Sequence, residues 1–242
     1  MTGGKQLATK FASKLLKEVE KSANPKLAEG MKKYMRDQFE YLGLQSTERR
    51  TILKEVYKNT EGIESADDVF IDEFANECLK SKYREMRYSF TDFLIMYYKK
   101  KLNVNNLKKM EEFNIKSKWW DVTDALAGSF GVIFAADADL QKKKNEEYIT
   151  HENLWMRRIG ILHQLKYKEK TNTDILYGNI LKTCSEKEFF IRKAIGWALR
   201  EYSKTAPHEV VSFIEKHKDK LDAWSKKEGM KYIEENKHIL KK

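Results

Sequence analysis

Apolar positions recur at three- and four-residue spacing from one end of the chain to the other, which is the period of an amphipathic α-helix. Leu7, Phe11, Leu15 and Leu16 open the pattern and Val19 extends it. Asn24 stands where it would cap a helix beginning at Pro25. A second stripe then runs from Leu27 through Met31, Met35 and Phe39, with Tyr34 beside it, to a stop at Gly43. Leu44 to Arg50 reads as a turn followed by a capped helix, with Glu48 in its first turn and Ile52, Val56 and Tyr57 on its apolar face. Ser65, Asp67 and Asp68 start the next helix, which buries Val69, Phe70, Phe74 and Leu79. Tyr83 to Lys101 is amphipathic: Phe90, Phe93, Leu94, Met96 and Tyr97 supply its apolar content, while Arg84, Arg87 and Lys99 to Lys101 are expected mostly in solvent.

The stretch Lys118-Trp119-Trp120-Asp121-Val122-Thr123-Asp124 continues the helical period and sets Trp120 and Asp124 one turn apart on one face. Phe130, Val132, Ile133 and Phe134 carry the segment on to a polar run, Gln141 to Glu147, that bounds it. Helices are expected from Glu152, Asp174 and Glu188. Ser185 with Glu188, and Ser225 with Glu228, each fit the capping box, in which hydroxyl and carboxylate satisfy orphan amides reciprocally. Proline occurs only at 25 and 207, each where a helix would start, so the punctuation of strands and long loops is missing. The prediction is an all-α chain of about six helix–turn–helix pairs without a strong sequence period, a degenerate helical-repeat solenoid. Such arrays curve, and a basic concave face can track a duplex backbone.

Composition narrows the partners. Lysine and arginine number 47 against 37 acidic residues, a formal charge of +10 on a folded chain of 242 residues. That excess favours an anionic polymer, nucleic acid before a membrane surface. Cys78 and Cys184 lie far apart without metal-ligand spacing, which points to a reducing compartment and away from a disulfide framework or zinc site. No apolar run approaches the length of a bilayer span, Met1 to Lys21 lacks a signal-peptide pattern, and none of the eleven glycines forms a nucleotide fingerprint.

Three patches carry candidate chemistry. Trp120 and Asp124 pair a ring face with a carboxylate, a combination suited to a cation, although a lone Trp is more often core and a helical Asp more often solvated. Lys193, Trp197, Arg200 and Lys204 alternate cations with an indole along one helix face. Trp155-Met156-Arg157-Arg158 adds an arginine pair whose planar forks suit phosphate.

These segments, together with Gln164 to Lys168 and the run from Glu188 to Tyr202, strongly resemble the AlkD-type DNA alkylation repair proteins. The likeness spans nearly the whole chain, from Tyr34 and the Tyr41 to Arg50 segment to Ser225. It is strongest from Trp155 to Lys204. The resemblance implies a single domain over residues 1–242, a right-handed superhelical solenoid of degenerate HEAT-like repeats. It also implies a monofunctional DNA glycosylase that hydrolyses the N-glycosidic bond of cationic N3- and N7-alkylated purines, such as 3-methyladenine and 7-methylguanine, in double-stranded DNA. Carried over, Asp124, Trp120 and Trp197 match the catalytic cleft residues and Arg158 the DNA-contacting arginine. Tyr34, Gln45, Arg50, Lys166, Arg200 and Lys204 fall at backbone-contacting or cleft-lining positions. Where relatives tend to carry a Leu-Ser-x-Arg-Glu run, this chain has Trp224-Ser225-Lys226-Lys227-Glu228.

Elementary chemistry agrees with the implied reaction. A base alkylated at a ring nitrogen is already cationic and leaves as a neutral molecule, so the second carboxylate of ordinary glycoside hydrolysis is not required. What remains is positive charge developing on the sugar, which a fixed anion stabilises. No metal or cofactor is implied, the damaged base need not enter a protein pocket, and the expected form is an intracellular monomer, in the cytoplasm and nucleoid or in a nucleus, with no membrane partner. The alternatives are a non-catalytic binder of branched or distorted DNA from the same family and a helical scaffold for a protein partner.

Overall fold

The computed structural model describes residues 3–241, so residues 1, 2 and 242 of the expected domain, and the start of the segment read for a signal peptide, lie outside the described residues. The chain is all-helical. Among the described residues thirteen α-helices follow one another, and pairing outside them is limited to one isolated bridge between Glu40 and Tyr83. Contacts divide the chain into two compact units, one ending at Ser117 and one beginning at Lys118.

The N-terminal unit holds α1 (Gly3–Lys21), α2 (Pro25–Tyr34), α3 (Ser46–Lys58), α4 (Asp68–Lys80), α5 (Arg84–Phe93) and α6 (Leu107–Ser117). Its core is aromatic. Phe11 of α1 lies edge-on to Phe74 of α4 at 5.2 Å, and Phe90 of α5 sits 4.3 Å from Phe113 of α6. Each such ring, fully buried, contributes roughly 1.5–3 kcal/mol of transfer free energy.

The C-terminal unit holds α7 (Trp120–Ala135), α8 (Ala138–Ile149), α9 (Leu154–Leu162), α10 (Thr173–Thr183), α11 (Phe189–Ser203), α12 (Pro207–Lys216) and α13 (Ala223–Glu235). Here α9 packs against α7, α8, α10 and α11, and α11 lies along α13. Helix α9 is apolar enough to be central: Trp155, Met156, Ile159, Ile161 and Leu162 are all buried. No helix of the described residues is long and apolar enough to cross a membrane.

Six of the helix starts carry a side-chain cap. Asn24, Asp67, Asp137, Asn153, Asn172 and Asp222 each accept a hydrogen bond from a backbone N–H of the first turn, a contribution of about 1 kcal/mol apiece. Pro25 and Pro207 stand in the first turns of α2 and α12, as expected of residues without an N–H to satisfy.

Several local expectations are corrected. Helix α2 stops at Tyr34 rather than Gly43, because Arg36 and Asp37 adopt left-handed φ values of 56° and 57° and turn the chain. Gly43 serves a close crossing instead. With φ 91° its backbone passes α2 so tightly that a Cβ would lie 2.1 Å from the Asn24 carbonyl oxygen. The helix after Leu44 begins at Ser46 with Gln45 as an uncapped N-cap. Neither capping box forms. Glu188 itself is the N-cap of α11, and Ser225 lies inside α13, where its hydroxyl donates to the Arg192 carbonyl. The polar run Gln141 to Glu147 is part of α8, not a boundary, since Gln141 and Asn145 are buried and bond to His163 and Asn179. Arg84 is fully buried rather than solvated, donating to the Ser117 carbonyl at 2.7 Å with its guanidinium over the Phe39 ring. Helix α5 runs into a π-helical turn, Leu94–Tyr98, which leaves Ile95 and Met96 each 40% exposed.

Candidate active site

Asp124 and Arg158, two of the residues that the family resemblance points to, meet within the C-terminal unit. Trp119 is the N-cap of α7 and Trp120 its first residue, so Asp124 follows Trp120 by one turn on the same face. Arg158 lies on α9, which packs against α7, and its guanidinium grips both carboxylate oxygens: Nε donates to Oδ1 at 2.7 Å and Nη2 to Oδ2 at 2.8 Å. This is the bidentate geometry that a planar fork makes and a lysine cannot. Nη1 donates to the backbone carbonyl of Phe190 in the first turn of α11. One guanidinium therefore ties three helices together.

Phe190, whose carbonyl meets Arg158, belongs to an aromatic group that the sequence did not reveal. The Trp119 ring is 5.9 Å from Trp155 and 5.4 Å from Phe190, and those two are 5.2 Å apart. The only sequence sign was that all three are large and near the two key residues. The backbone acceptor at Phe190 had no sequence sign, because any residue type carries a carbonyl.

The Arg158 side chain is 5% exposed and the Asp124 side chain 16%. Burial raises the Asp124 carboxyl above its ordinary value. The hydrogen bonds and charge of Arg158 and the more distant Lys193 oppose that rise, and Asp121 adds to it. The pair is thus a carboxylate held rigidly by hydrogen bonds in a poorly solvated place, where a fixed charge acts more strongly than in water. Three of the five Arg158 N–H donors are thus engaged within the protein, two of them on Asp124.

The expected face of α11 is also partly covered. Lys193 stands between the exposed rings of Phe189 and Trp224, 5.1 and 5.7 Å away, and its charge reaches Asp124. Trp197, half-buried, follows Lys193 by one turn on the same side. Arg200 pairs with Glu228 of α13 at 2.9 Å. Gly196 permits this approach, since a Cβ there would come within 2.7 Å of the Glu228 Cβ and 3.2 Å of the Trp224 ring. Lys166 and Lys204 share Glu201, at 3.5 and 2.6 Å.

The remaining expected contacts belong to the N-terminal unit. Tyr34 closes α2 with 73% of its surface exposed, and Gln45 is exposed ahead of α3. Arg50 keeps a 54% exposed side chain while its Nε bonds Asp92, whose other oxygen takes the buried fork of Arg49. Among the described residues no cluster of three or more His, Cys, Asp or Glu side chains could hold a metal ion.

Packed helical pairs, with an arginine-gripped carboxylate in each unit, Asp92 in the first and Asp124 in the second, define a helical-repeat protein. The model of the DNA alkylation repair enzyme family matches residues 15–233, and the chain belongs to that family. It is similar to the solved structure of a predicted DNA alkylation repair enzyme from Enterococcus faecalis, with 30% identity and a TM-score of 0.78 over 87% of this chain and 96% of that one. No curated protein matches.

Proposed function

We propose that the protein is a monofunctional glycosylase that releases cationic N3- and N7-alkylated purines from duplex DNA, with Asp124 as its catalytic anion. The observation that carries this is the Asp124–Arg158 pair: both carboxylate oxygens are fixed at hydrogen-bond distance, largely away from water, one helical turn from Trp120. Membership of a DNA alkylation repair family supplies the substrate class.

In this mechanism the alkylated base departs as a neutral molecule, taking the bonding electron pair and quenching its own charge. Positive charge appears on the deoxyribose, and Asp124 stabilises it and orients the attacking water. Trp120 and Trp197 hold the sugar between ring faces that themselves attract a cation. Arg158 keeps the carboxylate aimed. Tyr34, Gln45, Arg50, Lys166, Arg200 and Lys204 hold the phosphate backbone, and no general acid is required.

Single-turnover release of 7-methylguanine from a duplex, without added metal, tests this. Wild type should release the base, whereas Asp124→Asn should lose at least a hundredfold in rate, about 2.7 kcal/mol of transition-state stabilisation, while binding the duplex nearly as well. Release by Asp124→Asn at the wild-type rate would remove Asp124 from the chemistry. Salt-sensitive binding with no release by either protein, from 7-methylguanine or 3-methyladenine duplexes, would leave a DNA binder of the same family.

A further inference from the structure

Away from Asp124, the C-terminal unit contains a cavity of about 330 Å³ bordered by residues of α9, α10 and α11. That size lies within the ~300–1,000 Å³ of typical small-molecule sites. Its floor is apolar: Ile161 from α9, Leu176 from α10 and Ala198 from α11. Ala198 and Glu201 project from one stripe of α11, Thr205 follows just past its end, and the small side chain at 198 leaves the space that a leucine there would fill.

The polar lining has a direction. Glu201, only 20% exposed, supplies a carboxylate. Burial pushes it up, but hydrogen bonds and charges from Lys204 and Lys166 outweigh that and hold it below its ordinary value, so it is an acceptor at neutral pH. Exposed Lys168 and Lys204 line the same cavity, and Lys166 stands on the other oxygen of Glu201. Lys168 reaches this place through a left-handed backbone with φ 53°, a conformation that a side-chain-bearing residue adopts at a cost.

A matching ligand presents a flat apolar body to the apolar lining, paired N–H donors to the Glu201 carboxylate, and an anion to Lys168. We propose that this cavity is a nucleotide site that takes guanosine monophosphate, either free or as a guanine nucleotide displaced from a duplex. The ring N1–H and the exocyclic amine of guanine donate side by side to one carboxylate. Adenine and cytosine place an acceptor beside their amine and would set a lone pair against Glu201. The phosphate sits at Lys168, because the Lys204 ammonium is held on Glu201 at 2.6 Å, beside the base edge. None of these groups belongs to the Asp124 centre, so the site stands whether or not Asp124 cleaves a glycosidic bond.

Calorimetric titration of the full chain with guanosine monophosphate, adenosine monophosphate, guanosine and inorganic phosphate tests this. Guanosine monophosphate should bind at least tenfold more tightly than each of the others. Glu201→Gln should erase the preference over adenosine monophosphate, and Ala198→Leu, checked by its melting curve, should abolish binding by filling the floor. To separate the sources, a duplex with one bulged guanine is compared with a fully paired duplex: tighter binding of the bulge that disappears in Ala198→Leu assigns the site to DNA, and equal binding assigns it to the free nucleotide. Failure of guanosine monophosphate to bind wild type, or undiminished guanine preference in Glu201→Gln, overturns the proposal, as does binding of inorganic phosphate alone with equal affinity.

Discussion

The most consequential single residue beside Asp124 is Arg158, because three of its nitrogens are engaged by two other helices. Removing one member of a buried ion pair leaves the other charge without compensation, which costs about 3–5 kcal/mol. Arg158→Ala is therefore expected to lower the denaturation free energy by about 3 kcal/mol and to cut base release as well, measurable by urea titration and single-turnover kinetics. Arg158→Lys should retain more stability, since the charge survives, yet still lose excision because an ammonium cannot hold both oxygens at once. Equal excision by Arg158→Lys and wild type would show that the fork is not what aims Asp124. The pH dependence has a definite sign. Asp124 must be ionised to stabilise a cation, and burial raises its proton affinity. The rate of release should thus fall on the acid side at a pH above the ordinary carboxylate value, and the same limb should be absent from the residual rate of Asp124→Asn.

At the scale of elements, the aromatic run Trp119, Trp155 and Phe190 joins the starts of α7, α9 and α11, so the carboxylate is placed by helix packing and not by a loop. Close packing elsewhere depends on absent side chains. Gly43 combines φ 91° with a Cβ position 2.1 Å from a backbone oxygen, and three consecutive amides from Leu42 to Leu44 donate to the buried Oε1 of Glu85. Gly43→Ala has neither conformational nor spatial room. It should destabilise the chain by more than about 2 kcal/mol, whereas Gly30→Ala, exposed inside α2 with nothing within 4 Å of its Cβ, should stabilise it by about 0.4–1 kcal/mol. Comparable denaturation midpoints for the two variants would contradict this account of the crossing at Asn24.

For the whole molecule, the net charge of +10 supplies attraction to DNA, but much of the expected binding set is already paired with acids. The four phosphate contacts proposed for Arg50, Lys166, Arg200 and Lys204 should give a slope of about −3.6 in log affinity against log salt, and Lys166→Ala should make it shallower by about 0.9. An unchanged slope would take Lys166 off the backbone. Stability should also depend on pH through His163. Its ring is fully buried, with Nδ1 against the Gly160 carbonyl and Nε2 against Gln141, and burial lowers its pKa from 6.5 to about 4. The native state then binds fewer protons than the unfolded state between those values, so its stability is fully present above 6.5 and lost as pH falls. The loss amounts to about 3 kcal/mol. Comparison of wild type with His163→Gln at neutral and mildly acidic pH isolates that share, and parallel pH dependences would refute it.

The sequence by itself determined the helical class, because helical period and near-absence of proline are local properties that no distant contact reverses. It also picked out Trp120, Asp124, Arg158 and Trp197, since unusual side chains in an unusual order are visible without coordinates. The starts of α2 and α4 were legible from their caps, Asn24 and Asp67, for the same reason. Where a polar side chain had a choice of partners, the outcome belonged to tertiary structure. Ser225 and Glu228 looked like a cap but bond Arg192 and Arg200 across the α11–α13 packing, and Gln141 and Asn145 looked like a solvated run but face buried partners. Arg158 looked like a phosphate clamp, yet its fork closes on a carboxylate 34 residues away. Hydrophobic spacing reports which face of a helix is buried. Only the packed helices decide which donor finds which acceptor, because that depends on residues brought together from separate turns of the chain.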